Sequence, residues 1–177
     1  MKNYFEAFTI PYWQSKVTNW EQKKKCLLTI YNNTKINMNG DDQYTDYNNK
    51  NNYQSQIYAI LIDDINSARK GMNLNQYEFK ITTSWFQLYE QCHHHPIHNH
   101  GINALSAVCY IEYDSNEHEP TRFISPFNSY INNDLIEFIP SDIEEGSILF
   151  FPSNISHFVA PNKSPKPRLI LSFNLSL

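Results

Sequence analysis

From residue 77 onward the chain alternates short apolar runs with polar turns. Tyr77, Phe79, Ile81, Thr83 and Trp85 occupy every second position, the period of a strand with one buried face. Apolar runs follow at residues 104–113, 122–124, 135–139, 147–151 and 168–173, separated by turns carrying Pro, Asn, Asp or Gly. Many short strands at such spacing predict a β-sandwich or jelly roll. The first part of the chain has another rhythm. Residues 5–13 form an extended segment that ends near Pro11. Residues 18–31 place Cys26, Leu27, Ile30 and Tyr31 on one helical face, with Thr18 or Asn19 as cap and Glu21 early. Residues 32–52 are polar, with Asn39-Gly40-Asp41 as a turn signal, and predict a mobile loop. Ile57, Ile60, Leu61 and Ile65 predict a second helix over 53–70, stopped by Gly71.

The expected fold is mainly β: a double-stranded β-helix, or cupin-like jelly roll, with two N-terminal helices packed on it. A single domain is expected over 1–177. Residues 1–75 would supply the first strand and the helices, and residues 76–177 the β-helix core with the site.

Composition narrows this picture. A chain of 177 residues holds one good core. Its 41% hydrophobic and 15% aromatic content excludes a disordered chain. Net charge is -4, and the one basic run, Lys23-Lys24-Lys25, reads as a solvated helix face, so no nucleic-acid partner is expected. Cys26, Cys92 and Cys109 are scattered and form no CxxC, which fits free thiols in a reducing cytoplasm. Residues 1–5 lack a signal-like apolar run and no segment has a membrane-spanning length, so a cytoplasmic protein with no membrane partner is expected.

The candidate chemistry lies in the histidines. On a strand, residues i and i+2 share a face, so His98 and His100 can present two imidazoles to one ion. Downstream, Gly146 turns the chain into an apolar strand, Pro152 ends it, and a tight return delivers His157. Imidazole suits iron, copper, zinc and nickel, and three protein ligands leave open positions for chemistry. Arg168 opens the last apolar strand. If Leu169, Leu171 and Phe173 face one way, Arg168, Ile170, Ser172 and Asn174 face the other. An inward arginine needs an anion, and its planar fork matches a carboxylate. His93-His94-His95 reads first as a polar loop, with the alternative that one member orients substrate or metal, and His118, between Glu117 and Glu119, as a solvated side chain. Trp85, Phe86, Tyr89 and Phe158 divide between core and pocket lining.

Together these segments resemble the iron(II)- and 2-oxoglutarate-dependent oxygenases. The similarity is greatest to the small enzymes of marine bacteria and phages that are related to the prolyl hydroxylases. It is carried by Ser84-Trp85, His98-Asn99-His100, Ser106 through Tyr110, Gly146 through Pro152, His157, and Arg168 through Asn174. The resemblance implies iron held by His98, His100 and His157, with no catalytic side chain beyond these ligands. It implies 2-oxoglutarate chelating that iron, its far carboxylate on Arg168 with help from Tyr110 and Ser172, and O2 as oxidant. It implies a hydroxylase that couples decarboxylation of 2-oxoglutarate to C–H oxidation of a small-molecule or peptidyl substrate, with Trp85, Tyr89 and Asn174 as substrate contacts. Three departures stand out. His100 occupies the usual carboxylate's place, Ile170 replaces the serine of Arg-x-Ser, and Ala107 replaces a glycine.

Two other readings compete. Gly146, Pro152, His157 and Asn162 also resemble the second cupin motif, and cupin dioxygenases use three histidines without 2-oxoglutarate. That reading lacks the expected Glu after His-x-His and leaves Arg168 without a role. The other is a non-catalytic jelly-roll binding protein.

Overall fold

The computed structural model describes residues 9–40, 42–49 and 51–177. In chain order these form β1 (Trp13–Lys16), α1 (Trp20–Asn32), β2 (Asn37–Asn39), β3 (Gln43–Thr45), α2 (Gln54–Gly71), β4 (Lys80–Tyr89) and β5 (His95–His98). Then come β6 (Leu105–Glu112), β7 (Arg122–Ile124), β8 (Glu137–Phe138), β9 (Ser147–Pro152), β10 (His157–Val159) and β11 (Arg168–Ser176). A seven-stranded sheet in the order β1-β9-β6-β11-β4-β3-β2 faces a four-stranded sheet in the order β5-β10-β7-β8, and all pairings are antiparallel. This is the expected jelly roll with two helices on it.

Strand alternation divides the core in two. Leu169, Leu171, Phe173 and Leu175 of β11 point with Phe86, Cys109 and Phe150 toward Leu27, Ile57, Leu61 and Ile65 of the helices. Their neighbours Ile170, Val108, Tyr110, Leu149 and Phe151 point the other way, to Phe123 and Val159 of the smaller sheet. The long strands are buried on both faces, which is why they read as continuous apolar runs. The helices seal one face of the large sheet, and the polar chemistry gathers between the two sheets.

Several expectations need correction. The first strand begins at Trp13, and of the expected extended segment residues 5–8 lie outside the described residues. The polar stretch expected to be a mobile loop contains β2 and β3, a hairpin that extends the large sheet. Side-chain hydrogen bonds anchor it where apolar burial does not. Thr45 Oγ1 donates to the Phe86 carbonyl at 2.9 Å, and Asp46 accepts the Phe86 N–H at 2.7 Å and the Tyr53 hydroxyl. Burial raises the Asp46 carboxyl above its usual pKa, partly offset by these hydrogen bonds. Gly71 is the last residue of α2 and does not stop it by a left-handed turn; that conformation falls at Asn73 (φ 57°). Gly71 is small because Trp13 packs on it: a Cβ there would lie 2.0 Å from the indole ring. Asn19 precedes α1 in a left-handed conformation and its side chain makes no capping bond. Among the described residues no helix is long and apolar enough to cross a membrane.

Candidate metal centre and anion pocket

β10 runs antiparallel to β5 with His157 directly opposite His98. Directly paired residues bring their side chains together, and these two ring centroids lie 4.3 Å apart. His100 arrives differently from the expected shared strand face. β5 ends at His98, Gly101 adopts φ 67°, and the His100 N–H donates to the Ser153 carbonyl at 2.8 Å. This tie to the turn after β9 carries His100 to within 5.1 Å of both other rings, centroid to centroid. Their potential ligand atoms all lie within 4.8 Å of one another.

The nitrogen that faces an ion is also fixed. His98 Nδ1 lies 2.8 Å from the Pro96 carbonyl and His157 Nδ1 lies 2.9 Å from the Ile155 carbonyl. A carbonyl only accepts, so each Nδ1 carries the proton and each Nε2 keeps its lone pair. Burial pushes all three imidazole pKa values down, His157 to about 3 and His100 to about 4, with the neighbouring imidazoles adding to the effect there. All three are neutral imidazoles at physiological pH, the form in which a histidine can bind a metal.

Arg168 is 2% exposed, and among the described residues no carboxylate pairs with it. Its Nη1 donates to the Glu119 carbonyl at 2.9 Å and its Nη2 to Thr121 Oγ1 at 3.3 Å. The guanidinium lies 5.3 Å from the ring centroids of both Tyr89 and Tyr110 and 5.9 Å from that of Tyr113. Arg168 Nε and the Tyr89 hydroxyl are buried without a hydrogen-bond partner. Tyr89 stands opposite Arg168 across the β4–β11 pair. A buried cation beside an unpaired hydroxyl is costly unless an anion joins them. The Tyr110 hydroxyl accepts the Thr121 N–H at 3.0 Å, which leaves its own proton to donate, and its ring lies as near the guanidinium as that of Tyr89. Tyr89, expected at substrate, is placed at the arginine.

A cleft of about 190 Å³ opens beside the histidines, walled by the hairpin residues Gln43 and Tyr47 together with Trp85, Gln87 and His95. Trp85 lines this cleft, 5.2 Å from the His100 ring and edge-on to Tyr47 at 5.0 Å. Ser172 reaches toward this cleft and not the arginine, donating to Gln87 Oε1 at 2.9 Å. Asn174 is enclosed in a buried network, 2.7 Å from Ser106 Oγ and 2.9 Å from Thr83 Oγ1. The same Ser106 lies 2.9 Å from Ser153, the residue that holds His100.

Sequence reasoning missed Gln43 and Gln87 and did not single out His95 from its triplet. His95 begins β5 and its ring lies 3.9 Å from that of His98. Three positions apart they would face opposite ways on a regular strand, and the register shift in the β5–β10 pair, which no local pattern shows, accompanies their approach. His118 is likewise no solvated side chain. It is 7% exposed, accepts the Asp114 N–H at 3.0 Å and lies 3.1 Å from the Lys166 carbonyl.

Comparison with known proteins agrees with this geometry. Residues 83–174 match the family model described as "Putative 2OG-Fe(II) oxygenase". No curated protein matches the chain in sequence. Among solved structures, a prolyl-4-hydroxylase from Pseudomonas putida is similar at TM-score 0.63 and 15% identity, over 95% of this chain and 93% of that one. HygX from Streptomyces hygroscopicus, solved with nickel, 2-oxoglutarate and hygromycin B, is similar at TM-score 0.67 and 9% identity, over 95% and 83%. The viral collagen prolyl hydroxylase from Paramecium Bursaria Chlorella virus-1 is similar at TM-score 0.56 and 11% identity, over 94% and 96%. At such identities the structures speak to the fold, whereas the sequence match covers more than half of the chain and includes all three histidines and Arg168. The chain therefore belongs to the 2OG-Fe(II) oxygenase family, whose members take Fe(II), 2-oxoglutarate and O2.

Proposed function

We propose that this oxygenase is a hydroxylase in which His98, His100 and His157 hold the iron and Arg168, with Tyr89, holds the far carboxylate of 2-oxoglutarate. The observation that carries the reading is the pair of orphaned polar atoms, Arg168 Nε and Tyr89 Oη, buried together on one cation with no anion. A carboxylate seated there would satisfy both and neutralise the guanidinium. The donor set also fits. Three neutral imidazoles, two of them with the Nε2 lone pair oriented by a carbonyl at Nδ1, suit a divalent iron and leave coordination positions open. Iron and 2-oxoglutarate, when bound, supply the power to insert one oxygen atom of O2 into a C–H bond, as the other enters succinate and CO2 departs.

The protein's own contribution is placement. Arg168 and Tyr89 orient the co-substrate from the closed end of the space between the sheets. Trp85 and Tyr47 wall the open side, where a substrate C–H bond must approach. The aromatic and apolar lining from Phe123, Phe151 and Val159 keeps bulk water from the inner side.

Anaerobic titration with Fe(II) and then 2-oxoglutarate tests the reading. Wild type should develop the weak visible charge-transfer band of a chelated 2-oxo acid, and Arg168→Ala should need far more co-substrate to reach it. His98→Ala and His157→Ala should form no succinate. Iron binding without the band would favour a three-histidine dioxygenase that does not use 2-oxoglutarate, and wild-type turnover in either histidine variant would reject the ligand assignment.

A further inference from the structure

The wall of the cleft carries a chain of hydrogen bonds with a definite direction. Ser172 Oγ lies 2.9 Å from Gln87 Oε1. Gln87 Nε2 lies 2.9 Å from Gln43 Oε1 and 3.2 Å from His95 Nδ1. An amide carbonyl only accepts and an amide NH2 only donates. Ser172 therefore donates to Gln87, and the two Gln87 protons go to Gln43 and His95. The Gln43 carbonyl takes one Gln87 proton, which orients the amide and leaves its NH2 to donate. His95 Nδ1 acts as acceptor, so a neutral His95 ring carries its proton on Nε2. Both residues line the cleft, and among the described residues neither Gln43 Nε2 nor His95 Nε2 has a hydrogen-bond partner. The relay ends in two N–H donors with nothing to receive them.

The charge of the cleft narrows the ligand further. Among the described residues no Lys, Arg, Asp or Glu lines it. A carboxylate or phosphate held at the Gln43 and His95 end, away from the metal-site histidines, would shed water and meet no charged side chain among those residues. A neutral carbonyl avoids that cost, and its two lone pairs can take two donors that line one cleft. Beside the donors stands Trp85, braced by Tyr47 and His100, a flat apolar wall suited to a planar group.

We propose that this cleft is the substrate subsite, and that it recognises the carbonyl of a neutral amide or lactam through Gln43 Nε2 and His95 Nε2, held as donors by the Ser172–Gln87 relay. This rests on the oxygenase reading of the adjoining histidines. Gln43, Gln87 and Ser172 are positioning and specificity residues, and none of them touches the metal.

The first test is the tautomer of His95, read from its ring nitrogen resonances in ¹⁵N-histidine-labelled, metal-free wild type. The expected spectrum has an unprotonated Nδ1 and a protonated Nε2; the opposite tautomer reverses the relay and overturns the proposal. The second test titrates N-methylacetamide into protein loaded with zinc and 2-oxoglutarate. The Gln43 side-chain NH2 and His95 Nε2–H resonances should move, and Gln43→Leu or Gln87→Leu should each weaken binding roughly threefold to tenfold, the worth of one neutral hydrogen bond. In the metal-free protein, where no ion can hold it, acetate, similar in shape but charged, should bind more weakly than the amide. Unmoved resonances, or acetate binding as well as the amide, would overturn the proposal. If zinc or 2-oxoglutarate fails to bind, the oxygenase reading falls alone, since the tautomer and the amide titration can both be read on the metal-free protein.

Discussion

A single histidine here has two masters, a backbone carbonyl at Nδ1 and the ion site at Nε2, and burial keeps it neutral for both. The pH dependence follows from that. In the unfolded chain a histidine protonates near its ordinary pKa of about 6.5. In the folded chain His157 and His95 protonate only at about 3 and His100 at about 4, chiefly because burial disfavours the cation. Between those values the unfolded state binds more protons, so the metal-free protein should lose stability as pH falls from about 6.5 toward about 3 and keep it in full above 6.5. Urea midpoints measured across that range check this, and His95→Leu should flatten the profile. The ligands are already deprotonated at neutral pH, so divalent-metal affinity should be nearly flat from pH 8 down to about 6.5. A lysine at position 168 keeps the charge and loses the fork, so Arg168→Lys should weaken 2-oxoglutarate about tenfold or more in the same band titration. Tyr89→Phe, which removes the unpaired hydroxyl, should weaken it less than Arg168→Ala and leave Fe(II) binding unchanged.

Among the elements, legibility followed burial. β6, β9 and β11 were plain in the sequence because both of their faces are buried and their apolar runs are unbroken. β2, β3 and β5 were not: β2 and β5 are edge strands, which need no apolar face, and β3, between β2 and β4, is a three-residue strand with polar ends. Asn37–Asn39 is exposed at every position, Gln43–Thr45 is held by its polar side chains, and His95–His98 contains Pro96, which only an edge tolerates. The histidine cluster was legible as a spacing, but its cause lay in the His98–His157 register and the His100–Ser153 bond, contacts between distant segments that no local pattern encodes. Tyr89 and Tyr110 could not be told apart at the arginine for the same reason. The glycines illustrate how packing overrides turn rules. Gly71 yields its side chain to Trp13, and Gly71→Ala should cost about 1–3 kcal/mol in chemical denaturation although alanine is the better helix former. Gly146 combines φ 83° with the Trp20 indole 2.8 Å from where a Cβ would stand, so Gly146→Ala should be at least as damaging.

The whole molecule is organised about β11, which pairs with β4 on one side and β6 on the other. One face of this strand completes the helix-side core and the other carries Arg168. Leu171 is fully buried at its centre, and Leu171→Ala should cost about 2–5 kcal/mol by urea denaturation while the empty volume persists. The same strand sets a timetable. Residues 80–89 and 105–112 are synthesised early, yet they do not pair with each other; the slot between them belongs to residues 168–176. Until those residues have left the ribosome the large sheet exists as two unjoined halves, each with an open edge, and the metal-site histidines have no finished scaffold. Folding therefore waits on the synthesis of residues 168–176 and on long-range pairing, the slow regime for a β protein. Nascent chains arrested before residue 168 should be protease-sensitive throughout the β-helix core, and protection should appear as one step once residue 176 is clear of the exit tunnel.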